Sequence, residues 1–204
     1  MNNTSKHGNF ERINENLLTE TFDIFELLEA IQKKYGKTDN DTIINEVRDA
    51  KVAQVLGFGN INTDKHGWDA KTDEEEFLEV KQASIASKSI GATFNDTTIE
   101  KTDDIATGNV TIALAVWSSL RNLLFIVYGK NPAIGGLLKE KIIKSREKNA
   151  IRPGTQSITL KDLLVKFGFK IRPVNMSKED IASTLYGKMK TLKRVMTELP
   201  FDDE

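Results

Sequence analysis

Apolar residues recur along the start of the chain with the period of a helix. Phe10, Ile13, Leu17, Ile24, Leu27, Leu28 and Ile31 fall mostly three, four or seven positions apart, which predicts one or two amphipathic helices ending before Gly36. A second helical pattern runs through TIINEVRDAKVAQVL to Gly57, with Asp39 or Asp41 as its N-cap and Glu46 within it. GFGNINTDKHG reads as a loop or a short irregular strand. The stretch from Gly67 to Ser84, GWDAKTDEEEFLEVKQAS, then predicts a hairpin with Asp73, Glu74 and Glu75 as its loop.

SIASKSIGATFNDTTIEKTDDIATGN has few apolar anchors and reads as a long exposed connection holding a short helix. VTIALAVW and LLFIVYG are dense in β-branched and large apolar residues, as strands buried on both faces should be. A basic helix in NPAIGGLLKEKIIKSREKN, a short helix in TLKDLLVKFG, a strand in FKIRPV and a terminal helix capped by Ser177 complete the order. The expected fold is α/β, a mixed central sheet flanked by helices on both faces. It is read as one domain over 1–204: N-terminal helices in 1–57, the hairpin and core strands in 66–128, and C-terminal helices with one strand in 131–204.

Composition removes several chemistries. With no cysteine there is no thiol nucleophile, disulfide or Cys-based metal site, and the two histidines, His7 and His66, lie far apart. A metal would have to be bound by oxygen. The longest apolar stretch is interrupted by Ser118, Ser119, Arg121 and Asn122, and the first residues lack the apolar run of a secretory signal. No membrane partner and a cytoplasmic location are expected. A formal net charge of −1 does not announce a nucleic-acid binder, although Lys188, Lys190, Lys193 and Arg194 cluster near the C-terminus.

The hairpin poses a charge problem. A three-residue loop pairs Thr72 with Glu76 and sets Asp69 across from Glu79, with Lys81 on the same face as Glu79. Opposed carboxylates are destabilising unless solvent screens them or a cation sits between them. A hard divalent ion such as Mg²⁺ needs one or two carboxylates and keeps positions for water and phosphate oxygens. The bare pattern of an acid two before a lysine is expected roughly three times by chance in this composition. It occurs three times, at Asp49–Lys51, Asp69–Lys71 and Glu79–Lys81. The first lies in a helix, where such residues face apart, and only the third combines an apolar strand with an acidic partner across a turn.

Asp69, followed on the next strand by Glu79-Val80-Lys81, resembles the core of the PD-(D/E)XK nucleases, the fold shared by many type II restriction endonucleases. Trp68 and Ala70 flank Asp69, so the proline that names the motif is absent. The resemblance implies Asp69 and Glu79 as ligands of Mg²⁺, or of Mn²⁺ in its place, with the Val80 carbonyl as a third ligand. It implies Lys81 at the attacking water and Glu46 as a helical acid holding a second ion or an outer water; burial would lower the Lys81 pKa and let it serve the proton transfer, whereas a retained charge would add stabilisation. The implied activity is sequence-specific hydrolysis of double-stranded DNA by a homodimer.

Target reading is expected from two polar segments. Lys88, Thr93 and Asn95 follow the metal strand, and Arg152, Gln156 and Ser157 lie in RPGTQS. Two other readings stand beside this one. One keeps the fold and chemistry in a repair, phage or mobile-element nuclease that selects DNA structure. The other is a non-catalytic nucleic-acid- or protein-binding domain whose hairpin is an exposed ribbon and whose basic C-terminal helix is a solvated face.

Overall fold

The computed structural model describes residues 40–62, 67–119 and 122–202, apart from the side chains of 40–44 and of Glu46. The helices expected between Phe10 and Tyr35, the Asp39 cap, His7 and His66 lie outside the described residues. Contacts divide the chain into two compact units, Met1–Asn45 and Glu46–Glu204, and the second is the one described below.

Helix α1 (Asn40–Leu56) ends at Gly57, whose φ of +81° suits a residue without Cβ. Strands β1 (Asn60–Ile61), β2 (Ala70–Lys71) and β3 (Phe77–Ser84) follow as an antiparallel meander. Strand β4 (Gly91–Phe94) and helix α2 (Ile99–Ala106) then lead to β5 (Val110–Trp117), which returns parallel to β3. Strand β6 (Leu123–Gly129) turns back antiparallel. Helix α3 (Ala133–Glu147), strand β7 (Gln156–Thr159) and helix α4 (Leu160–Val165) precede β8 (Lys170–Pro173). Helices α5 (Lys178–Lys188) and α6 (Lys190–Val195) close the chain.

The main sheet has the order β1-β2-β3-β5-β6-β8, with one parallel pair in an otherwise antiparallel array. Alternation along β5 feeds two cores. Ile112, Leu114 and Val116 join the core that includes residues of α2 to α6, while Ala113, Ala115 and Trp117 meet Val52 and Ala53 of α1. This is the two-faced burial, with helices on both sides, that the apolar runs announce.

The connection after β3 differs from its expected form. It contains β4, which pairs antiparallel with β7 in a two-stranded ribbon, and Ala92 and Phe94 are fully buried. Ile90, Ala92 and Phe94 fall at alternate positions, so three apolar residues suffice to seat one face of a ribbon. The terminal helix is also two helices, broken at Met189, whose extended φ of −123° and ψ of 76° interrupt the turn. Ser177 caps the first of them as expected, accepting from the Asp180 N–H at 3.1 Å.

Gly135 of α3 sets how closely the crossover helix is held. A Cβ there would lie 2.3 Å from the Thr102 carbonyl oxygen of α2, so only glycine allows these backbones to approach so closely.

Candidate active site

The hairpin forms in the expected register. Ala70 pairs with Leu78 and Lys71 with Phe77, and the Thr72 N–H donates to Glu76 O at 2.9 Å. Glu75, with φ of 63°, supplies the left-handed residue that closes a three-residue loop. Register then changes at Asp69. Its N–H donates to Leu78 O at 2.9 Å, the residue Ala70 already faces, so two residues oppose one in the manner of a β-bulge. Asp69 therefore does not sit directly across from Glu79, as a regular ladder would place it.

The bulge gives the Asp69 carboxylate a different task. Its Oδ2 accepts the Val80 N–H at 2.6 Å, replacing the backbone carbonyl that a longer β2 would have offered. In a strand the N–H and C=O of one residue point the same way, so the Val80 carbonyl faces this open edge beside Asp69. Glu79 and Lys81 flank Val80 on the strand's other face, where Glu79 is only 3% exposed. Lys81 Nζ lies 2.6 Å from Glu79 Oε1 and 5.5 Å from the centre of the Phe94 ring.

Two residues that sequence reasoning did not single out complete the cluster. Asp49 of α1 accepts from Gln82 Nε2 at 2.6 Å, and it feels the charges of Asp69, Lys81 and Glu79. Lys101 of α2 stands 2.9 Å from Glu79 Oε2 and 4.7 Å over the Trp68 ring. Asp49 belongs to the acid–x–lysine match set aside because helical i and i+2 positions diverge. The divergence is real, but only the acid is used. Glu46 lies in the same helix, and its side chain is outside the described residues.

Electrostatics at the cluster are unbalanced. Burial, and next the neighbouring Asp69 charge, push Asp49 up to about 7. Burial and then Glu79 push Asp69 up to about 6. Burial alone would lower the Lys81 pKa, yet Glu79, Asp69 and Asp49 together outweigh it and hold the pKa above that of an ordinary lysine. The expected lowering of the Lys81 pKa is thus reversed, and this ammonium is a fixed cation rather than a ready base.

Among the described residues no group of three acidic or histidine side chains converges as a metal cage. The donor set that the edge does offer, one or two carboxylates and the Val80 carbonyl, is what Mg²⁺ uses when water and phosphate fill its remaining positions. Glu79 Oε2 adds a further sign of fit. It is buried and accepts no hydrogen bond, although the Lys101 ammonium stands 2.9 Å away as an ion-pair partner.

The β4–β7 ribbon joins the two polar segments expected to read DNA. Thr93 pairs with Ser157, their hydroxyls 3.1 Å apart, and Phe94 pairs with Gln156. Lys88, Asn95 and Arg152 are exposed. Gln156 is not available in the same way: its amide donates to Ser145 Oγ at 2.9 Å and to Pro153 O at 2.8 Å. Lys188, the last residue of α5, donates to Ser87 O at 3.3 Å, which ties the end of this helix to the first polar segment. Beside Gln82, Arg48 lies 4.6 Å over the Trp117 ring and helps to line a pocket of about 230 Å³.

No helix among the described residues is long and apolar enough to cross a membrane. No protein-family model matches the chain, and no curated protein matches its sequence.

Proposed function

We propose that this chain hydrolyses phosphodiester bonds in double-stranded DNA with the help of Mg²⁺, as a type II restriction endonuclease acting as a homodimer. The observation that carries the reading is the gathering of Asp69, Glu79 and Lys81 around one peptide, that of Val80, at the open edge of β3. A buried excess of carboxylate charge is costly in a protein with no use for a cation, and burial first, with a neighbouring carboxylate second, raises the pKa values of Asp49 and Asp69.

Each residue has a role that follows from its place. Asp69, Glu79 and the Val80 carbonyl would hold the ion, with Asp49 as the acid on the far side of Asp69. A bound Mg²⁺ would offset charge on the phosphate and acidify a nearby water. Lys81, kept protonated by its neighbours, orients that water and adds positive charge where the phosphate becomes more negative. Gln82 fixes Asp49 from the residue next to Lys81, so helix and strand are held together at the site.

Recognition would fall to the ribbon. Two-stranded ribbons fit the major groove, and Thr93, Asn95, Arg152 and Ser157 lie in or beside this one. Phe94 connects it to the site, since its ring underlies Lys81. A palindromic target cut on both strands calls for two sites related by two-fold symmetry, hence the dimer. The test is direct: purified protein, phage DNA and Mg²⁺ should yield discrete bands on a gel. A smear, or cutting confined to forked or branched DNA, would instead point to a structure-selective nuclease of the same chemistry, and no metal-dependent cutting of any DNA would leave a binding domain.

A further inference from the structure

Lys101 and Lys81 both approach Glu79, one to each carboxylate oxygen, but they are not equivalent. Lys81 comes from the same strand, its side chain is 17% exposed, and it makes a short contact of 2.6 Å with Oε1. Lys101 comes from α2, its side chain is 29% exposed, and it stands 2.9 Å from an Oε2 that still accepts no hydrogen bond. Its other contacts are weak: the Trp68 ring face and, at 3.4 Å, the Gly67 carbonyl oxygen. Lys101 is the looser of the two cations, and it covers the oxygen a metal would need.

We propose that Lys101 is a displaceable counter-cation: a divalent ion and the Lys101 ammonium compete for Glu79 Oε2, and a DNA phosphate that takes up the released ammonium favours the ion. The inference rests on the metal role assigned above to Glu79. In the metal-free protein Lys101 limits the cost of burying a carboxylate at the sheet edge. When an ion enters, both cations cannot keep the same oxygen. The flexible stem of Lys101 then carries its charge outward past Trp68, toward the side from which a phosphate backbone would approach. Metal and DNA thereby assist each other, and thermodynamic reciprocity requires the assistance to be equal in both directions.

The experiment needs no cleavage. Mg²⁺ affinity is measured by calorimetry on the full chain, without DNA, for the parent and for Lys101→Met, Lys101→Arg and Glu79→Gln. Circular dichroism confirms that each variant is folded. In a Trp117→Phe background, Trp68 emission follows the departure of the ammonium from the ring. Lys101→Met should bind Mg²⁺ roughly three- to tenfold more tightly, since no competing cation remains. Lys101→Arg should stay within about twofold of the parent, since its charge is kept. Mg²⁺ should change Trp68 emission in the parent but not in Lys101→Met. Unchanged or weaker binding by Lys101→Met, with Glu79→Gln losing the ion, would overturn the competition and leave the metal role of Glu79 standing. No Mg²⁺ binding by the parent would overturn both.

Discussion

Asp49 of α1 and Gln82 of β3 are joined by a 2.6 Å hydrogen bond that crosses from helix to strand one residue beyond Lys81. This contact brings a helical acid, Asp49, to the cluster. Asp49→Asn should therefore lower cleavage more than tenfold, by roughly 10²–10³, within the range seen when one charged group is removed from a preorganised site. Glu46→Gln is the companion variant, removing the helical acid that the sequence resemblance implies. Single-turnover cleavage rates for the two variants decide between these acids.

Stability should depend on pH in a direction set by the raised acids. Asp49 and Asp69 titrate near 7 and 6 in the folded protein and near 3.8 when unfolded, so between those values the folded state binds more protons. Stability from these groups is then greatest at low pH and is lost as pH rises from about 4 to 7. Thermal unfolding without metal should show this contribution shrinking from pH 5 to pH 8. Asp49→Asn should flatten the slope, and saturating Mg²⁺, which under the proposal binds the deprotonated acids, should oppose it.

The ribbon makes separable predictions for its two kinds of residue. Alanine at Arg152 or Lys88, both exposed, should weaken DNA binding and reduce the salt dependence by about one counterion each. Alanine at Thr93 or Asn95 should alter target preference. Gln156→Ala should lower stability by about 1 kcal/mol through the loss of its bonds to Ser145 and Pro153, without changing the target. Competition binding at two salt concentrations and a thermal melt distinguish these outcomes.

Packing also reaches the site. Gly135→Ala would force α2 and α3 apart, which should cost about 1–3 kcal/mol as other overpacking substitutions do. Because α2 carries Lys101, the same change should disturb Mg²⁺ affinity as well as the melting temperature.

Local patterns made much of this legible. The hairpin register followed from the loop Asp73 to Glu75 and its alternation, and the paired core strands followed from their unbroken apolar runs. What local pattern could not reveal is what depends on a third element. Asp49 and Lys101 are ordinary helix residues by sequence, and they join the cluster because their side chains reach β3, Asp49 at Gln82 and Lys101 at Glu79. The bulge at Asp69 was hidden for a related reason: a side chain bonds the Val80 N–H where the regular ladder has a backbone carbonyl. Strand β4 was missed because its buried positions alternate with Thr93 and Gly91, so its mean polarity resembles that of a loop.

The central claim is that the Val80 edge is a metal-dependent hydrolytic site, and a paired assay on Glu79→Gln and Lys81→Met tests it most directly. Mg²⁺ or Mn²⁺ affinity is read by calorimetry, and DNA cleavage by gel. Glu79→Gln should fold, lose metal affinity and lose cleavage. Lys81→Met should keep metal affinity while cleavage falls by at least about 10². A Lys81→Met protein that cuts DNA at the parental rate, or a Glu79→Gln protein that binds metal and cuts as before, would contradict the account.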